Sequence, residues 1–336
     1  GMGEVYTAYD PELDRKVALK VIRERGGGNM ETAAQARLLA EAQALARLSH
    51  PNVVTVYDVG TVDDGDVYIA MEFIEGKTFG EWTGEGDGRE WEEVVSTLVE
   101  AGKGLAAAHE AGLVHRDFKP DNVLIGDDGR VRVIDFGVAL QDAEAVPVIE
   151  DVKRRELSPT TTGGLVGTPA YMAPEQFEAR EVGPEADQFA FSVVLYQGLV
   201  GQLPFAGDTL LSLAESVCNG EVREFERDSQ VPGWLQDVVL QGLANEPAER
   251  FPSLPALLAE LEPKVTTSRW RLAVAVIAVL FVGVGVGALV LGGSKESVCQ
   301  GFDAQLDGIW SADRKQQVAA AIGDEVFARV SPVIDA

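Results

Sequence analysis

His115-Arg116-Asp117-Phe118-Lys119-Pro120-Asp121-Asn122, followed after a short interval by Asp135-Phe136-Gly137, decides how this chain is read. The first block crowds acids, an amide and a lysine into one polar run. Apolar Val123-Leu124-Ile125 follows it, and Val131-Arg132-Val133-Ile134 leads into the second block. Between the apolar runs, Gly126-Asp127-Asp128-Gly129 has the composition of a tight hairpin turn. Two polar loops are therefore expected to open on the same end of one hairpin. Asp117, Asn122 and Asp135 would then converge, and their oxygens suit a divalent cation bound to a polyphosphate.

Composition narrows the remaining choices. The 336 residues are enough for one large or two ordinary domains with an appendage. A hydrophobic content of 46% with 24% charged residues indicates a packed globular protein, not a disordered one. The net charge of −26, from 54 acids against 28 bases, argues against nucleic acid held on a basic surface. Two cysteines, Cys218 and Cys299, make neither a disulfide framework nor a zinc site. With only three histidines, metal chemistry must rest on oxygen ligands, which points to magnesium or manganese.

The pattern H-R-D-x-K-x-x-N followed by D-F-G resembles the catalytic core of eukaryotic-like protein kinases. The resemblance implies a two-lobed α+β fold, a small β-rich lobe over about 1–74 and a larger helical lobe over about 75–262. It implies ATP with Mg2+ or Mn2+ as cofactors and a protein as substrate. Asp117 would be the catalytic base, Lys119 would neutralise the transferred phosphate, and Asn122 and Asp135 would bind the metal. Lys119, two residues after Asp117, resembles serine/threonine kinases and not tyrosine kinases. Lys20 in Val17-Ala18-Leu19-Lys20 resembles the lysine that holds phosphates, with Glu41 as its helix partner. Met71-Glu72-Phe73-Ile74 resembles the interlobe hinge, where backbone groups of Glu72 and Ile74 would bond adenine between Val5, Ala18 and Leu124.

The same resemblance extends to structural supports and to regulation. Gly167-Thr168-Pro169-Ala170-Tyr171-Met172-Ala173-Pro174-Glu175 resembles the segment closing the activation loop, with Glu175 paired to Arg250. Asp187 is expected to accept hydrogen bonds from the catalytic-loop backbone. Arg116 would receive a phosphate from the loop, with autophosphorylation expected at Thr162 or Thr160. Of the family's glycine-rich loop only the end is present: Gly3 matches the last glycine and Val5 the valine. The chain opens Gly1-Met2-Gly3-Glu4, and the first strand is expected to be missing.

Local patterns agree with this order. Glu4–Tyr9 and Lys16–Ile22 are β-prone runs around the turn Asp10–Asp14. Apolar spacing predicts a helix over Glu31–Leu48, then strands over Val53–Val59 and Val67–Phe73. Beyond Gly76 the pattern turns helical, with a long helix over Trp91–Ala111 ended by Gly112. Residues 138–168 lack periodicity and read as a long functional loop. Helices are predicted over Asp187–Val200, Leu210–Cys218, Trp234–Ala244 and Leu254–Leu261.

Leu272–Leu291 is an uncharged apolar run, and about 20 residues at 1.5 Å each span roughly a 30 Å bilayer core. It is read as a membrane-spanning helix after a juxtamembrane stretch, 263–271. Lys264, Arg269 and Arg271 precede it and only Lys295 closely follows, so residues 1–262 are expected to be cytoplasmic. Residues 292–336 would lie outside a bacterial cell, as the start of a sensor region cut short. Gly283 and Gly287 have the small-residue spacing that supports a homodimer. The expected function is phosphorylation of protein serine or threonine hydroxyls in transmembrane signalling. A membrane-tethered pseudokinase acting as scaffold or receptor is the alternative.

Overall fold

The structure, a computed structural model, describes residues 3–22, 31–61, 66–86, 88–136, 168–227 and 229–262. All of them belong to one compact unit, Gly1–Trp270. The expected 138–168 loop and the apolar run 272–291 lie outside these residues apart from Thr168. Among the described residues no helix is long and apolar enough to cross a membrane.

The chain opens with an antiparallel sheet in the order β1-β2-β4-β3: β1 Gly3–Asp10, β2 Arg15–Ile22, β3 Val56–Thr61 and β4 Val67–Glu72. Its register opposes Val5 to Lys20, Lys20 to Ile69 and Ala18 to Met71. Directly opposed residues share a face, and alternate residues on a strand do too. Val5, Ala18, Lys20, Ile69 and Met71 therefore line one side of the sheet. Helix α1, Glu31–Arg47, packs against β3 and β4. Its Leu38, Ala42 and Leu45 are buried at the spacing of one helical face.

Two sequence expectations need correction here. The third strand begins at Val56, not Val53. The Asn52–Val54 stretch is drawn instead to the central hairpin: Val54 N–H donates to the Val133 carbonyl at 3.0 Å, and Val133 N–H donates to the Asn52 carbonyl at 2.9 Å. The Asn52 amide adds a bond to the Val131 carbonyl at 2.8 Å. A fully apolar run carries no mark of which neighbour it will pair with. The second correction concerns Gly76, after which the chain is not yet helical. β5, Gly76–Thr78, joins β6 (Val123–Gly126) and β7 (Val131–Val133) in a second antiparallel sheet. A Cβ on Gly76 would fall 2.2 Å from the Ile125 carbonyl oxygen, so only glycine allows this approach.

Helices build the rest. Thr78 caps α2, Phe79–Thr83, through a reciprocal capping box with Glu81. The long α3, Trp91–Glu110, ends where Gly112 takes φ 77°. After it come α4 (Pro174–Phe177), α5 (Pro184–Val200), α6 (Leu210–Cys218), α7 (Gly233–Gly242) and α8 (254–262). Helix α5 starts three residues before the expected Asp187, with Pro184 in its first turn, and closes on left-handed Gly201. All residues from Ala186 to Tyr196 are buried, which makes α5 the axle of the helical part. It packs on α3 and α7, while α3 also packs on β7. The hairpin and its two flanking loops are thereby mounted on buried helices.

Candidate active site

The hairpin forms as its turn residues predict. Val123 opposes Val133 and Ile125 opposes Val131. The turn closes with Gly129 N–H on the Gly126 carbonyl at 2.8 Å, and Gly129 supplies the positive φ of 78°. At the other end of the strands, the polar loop 115–122 finishes in a single 3-10 turn, Pro120–Asn122.

In that loop Lys119 Nζ lies 2.8 Å from Asp117 Oδ2. The Asn122 amide nitrogen donates to the Asp117 backbone carbonyl at 2.7 Å, which turns Asn122 Oδ1 the opposite way. Asp117 Oδ1 is buried and has no hydrogen-bond partner among the described residues. A buried acceptor left unsatisfied costs about 1–3 kcal/mol, so it marks a place where a donor belongs.

The second polar loop is tied to the first by the backbone of Ile134. Its N–H donates to the Asn122 carbonyl at 2.9 Å, and its carbonyl lies 2.9 Å from His115 Nε2. Asp135 follows with φ 57°, left-handed, and Lys20 Nζ lies 3.1 Å from its Oδ1. Lys20, Asp135, Asn122, Asp117 and Lys119 thus form one linked constellation where the first sheet meets the hairpin. Among the described residues no three His, Cys, Asp or Glu side chains form a metal-binding group. A cation here would need Asn122 and oxygens from a ligand.

His115 is the fully buried pivot between the loops. Its Nδ1 accepts from Asp117 N–H at 3.3 Å, which assigns the proton to Nε2, facing the Ile134 carbonyl. Its ring lies 4.7 Å from Phe136 and edge-on to Phe118, which in turn stacks on Phe191 of α5. Burial among these rings pushes its pKa below the usual histidine value. It sits neutral.

Asp187, 1% exposed on α5, holds the loop from behind. Its Oδ2 accepts the His115 N–H and its Oδ1 the Arg116 N–H, each at 2.7 Å. Arg116 has φ 61°, a left-handed conformation costing on the order of 1–3 kcal/mol in a residue with a side chain, so the surrounding bonds must enforce it. Two participants escaped the sequence reading. His109, in the last turn of α3, places Nε2 2.7 Å from Asp187 Oδ2. Gln176 donates from Nε2 to the Arg116 carbonyl at 3.2 Å. Neither belongs to a motif with an evident charge or turn signal.

Glu175 and Arg250 meet in a buried two-pronged ion pair, at 2.7 and 2.8 Å. Arg250 also donates to the carbonyls of Ala244, Glu185 and Asn245, so its remaining protons are satisfied. Glu41 lies half-buried on α1. Val5 is exposed on β1, and Ala18 and Leu124 are half-buried on β2 and β6. Gly3 opens β1.

Met71 is buried near the end of β4, where Glu72 N–H is already engaged by the Thr55 carbonyl. The Glu72 side chain reaches Arg132 at 3.0 Å, and Arg132 also grips Asp128 at 2.6 Å, holding that carboxyl well below its usual pKa range. A cleft of about 440 Å³ opens beside Glu72–Glu75, Lys16 and the hairpin turn. Lys20, Asp117, Asn122 and Asp135 do not line it. Thr160 and Thr162 lie outside the described residues.

A family model described as the protein kinase domain matches residues 1–260. The serine/threonine-protein kinase PknL of Mycobacterium tuberculosis is 39% identical over 263 residues, covering 78% of this chain and 62% of the relative. PrkC of Bacillus subtilis, also a serine/threonine-protein kinase, is 32% identical over 273 residues, covering 80% and 39%. The probable serine/threonine-protein kinase PknB of Lactococcus lactis is 32% identical over 273 residues, covering 80% and 41%. The chain spans less than two thirds of the length of these curated relatives.

Proposed function

Because this chain belongs to the protein kinase family, among bacterial serine/threonine kinases of the eukaryotic-like type, we propose that it phosphorylates serine or threonine hydroxyls on a protein. The observation that carries this is Asp117, with Oδ2 held by Lys119 and Oδ1 buried without a partner among the described residues, beside the Lys20–Asp135 pair. Asp117 orients the substrate hydroxyl and takes its proton, a role worth roughly 10²–10⁴ in rate. Lys119 holds the base and balances charge gathering at the transferred group.

The residues present fit a nucleotide with a hard divalent cation. Asn122 and Asp135 offer oxygen ligands, which select magnesium or manganese, and Lys20 is the ammonium suited to phosphate oxygens. Bound ATP supplies the phosphoryl group, with the cation neutralising its charge. Glu41 would be the helix partner of Lys20. The shared face of Val5 and Ala18 with Leu124 would enclose the base, and backbone groups of Glu72 and Ile74 would bond it.

Activation-loop autophosphorylation at Thr160 or Thr162 belongs to the same proposal. Arg116 Nε, buried and without an acceptor among the described residues, supports it as the receiving group. Placement in a bacterial membrane through the apolar run 272–291, with residues 1–262 cytoplasmic, is part of the same proposal. Transfer of labelled γ-phosphate to the chain itself and to added protein, compared between the native chain and Asp117→Asn, tests the activity. Label unaffected by that substitution would defeat it, and a native chain that binds partners without transferring label would favour the scaffold.

A further inference from the structure

The Arg116 peptide is gripped from two sides. Its N–H donates to Asp187 on the buried α5, and its carbonyl accepts from Gln176 on α4, just past Glu175. Gln176 is itself fixed, because its Oε1 accepts the Ala173 N–H at 2.9 Å. One planar amide therefore spans from the start of α4, the end of the 168–175 segment, to the residue before Asp117. Left-handed Arg116 makes this span consequential. Rotation about the Arg116 backbone would swing Asp117 away from Lys119 and Asn122, and the two flanking bonds oppose it together with the Asp117 N–H bond to His115 Nδ1.

We infer that Gln176 is a positioning residue that sets the Asp117 carboxylate in register with the segment 168–175, the expected close of the activation loop. This rests on the kinase reading above and adds a residue to it. The two ends of the amide do different work. Oε1 caps α4, a purely structural service, whereas Nε2 alone reaches the catalytic loop. An oxygen in place of Nε2 separates them. Gln176→Glu keeps an acceptor for Ala173 N–H, with a negative charge that suits a helix start. It sets an acceptor against the Arg116 carbonyl, where a donor is required. Gln176→Met removes both bonds.

The experiment measures kcat and KM for ATP, thermal melting, and hydrogen exchange in the full 336-residue chain for native, Gln176→Glu, Gln176→Met and Asp117→Asn proteins. Gln176→Glu is expected to lose about ten- to a hundredfold in kcat, as misplacement of a reacting group by around 1 Å would cause. KM for ATP should stay within about twofold, because the lost bond touches no nucleotide-facing group. Amides 115–119 should exchange faster while those of α5 do not, and Gln176→Met should lose the same turnover and also melt lower. Native kcat in Gln176→Glu, or exchange accelerated uniformly along the chain, would overturn the inference and leave Gln176 as a helix cap. If the native chain shows no Asp117-dependent transfer, the parent reading fails, and this inference falls with it.

Discussion

The sheet of β1–β4 and the helical part around α5 handle their charged groups in opposite ways. On the sheet side the Lys16–Glu75 pair lies at the surface, at 2.8 Å with both side chains more than half exposed. Tyr6, Tyr9 and Leu13 are exposed there too. In the helical part, Asp187, Glu175 and Arg250 are buried, and every one is met by at least two hydrogen bonds. Water can replace a lost surface pair, but nothing replaces a lost partner in the interior. The helical part is therefore the frame that fixes Asp117, Asn122 and Asp135, and the sheet brings Lys20 to it.

The hardest test of that contrast is the frame's own product. Asp117→Asn should lower kcat by about 10²–10⁴ with melting little changed, since the group serves chemistry and not packing. Arg250→Met strands Glu175 as an uncompensated buried carboxylate and should cost about 3–5 kcal/mol in denaturant unfolding. A cost under 1 kcal/mol would show that the interior pair behaves like a surface one.

Acid probes the same frame through His115. Its folded pKa is depressed, so the unfolded chain takes up the proton first. The stability contributed by neutral His115 is complete above roughly pH 6.5 and is lost as pH falls below that, with a slope up to about 1.4 kcal/mol per pH unit. Comparing unfolding free energies at successive pH values for native protein and His115→Phe checks this, and equal slopes would refute it. The smallest effect is expected on the sheet side. Lys16→Ala should change unfolding free energy by no more than about 1 kcal/mol, and less at high salt.

Much of this was legible before any coordinates. The hairpin was written in Gly126–Gly129 between two apolar runs, and α3 in its periodicity with Gly112 behind it. The partners of Asp187 and Glu175 were expected from a motif resemblance, and the structure places those groups within bonding distance; the Lys119–Asp117 pair was not foreseen. Val53 and Val54 were misassigned because buried apolar residues look alike whichever strand they join. β5 was missed because Gly76-Lys77-Thr78 has no alternation to read; its pairing exists only once β6 lies beside it.

What the sequence determined by itself was local: turn chemistry, helical faces, and the spacing of acids and amides around one hairpin. Those follow from backbone sterics and short-range periodicity, which a linear string carries in full. Tertiary structure alone decided which buried polar groups meet. His109 and Asp187 are 78 residues apart, and Gln176 and Arg116 are 60 apart. Their juxtaposition depends on how α3, α4 and α5 pack, and no residue's own chemistry announces it.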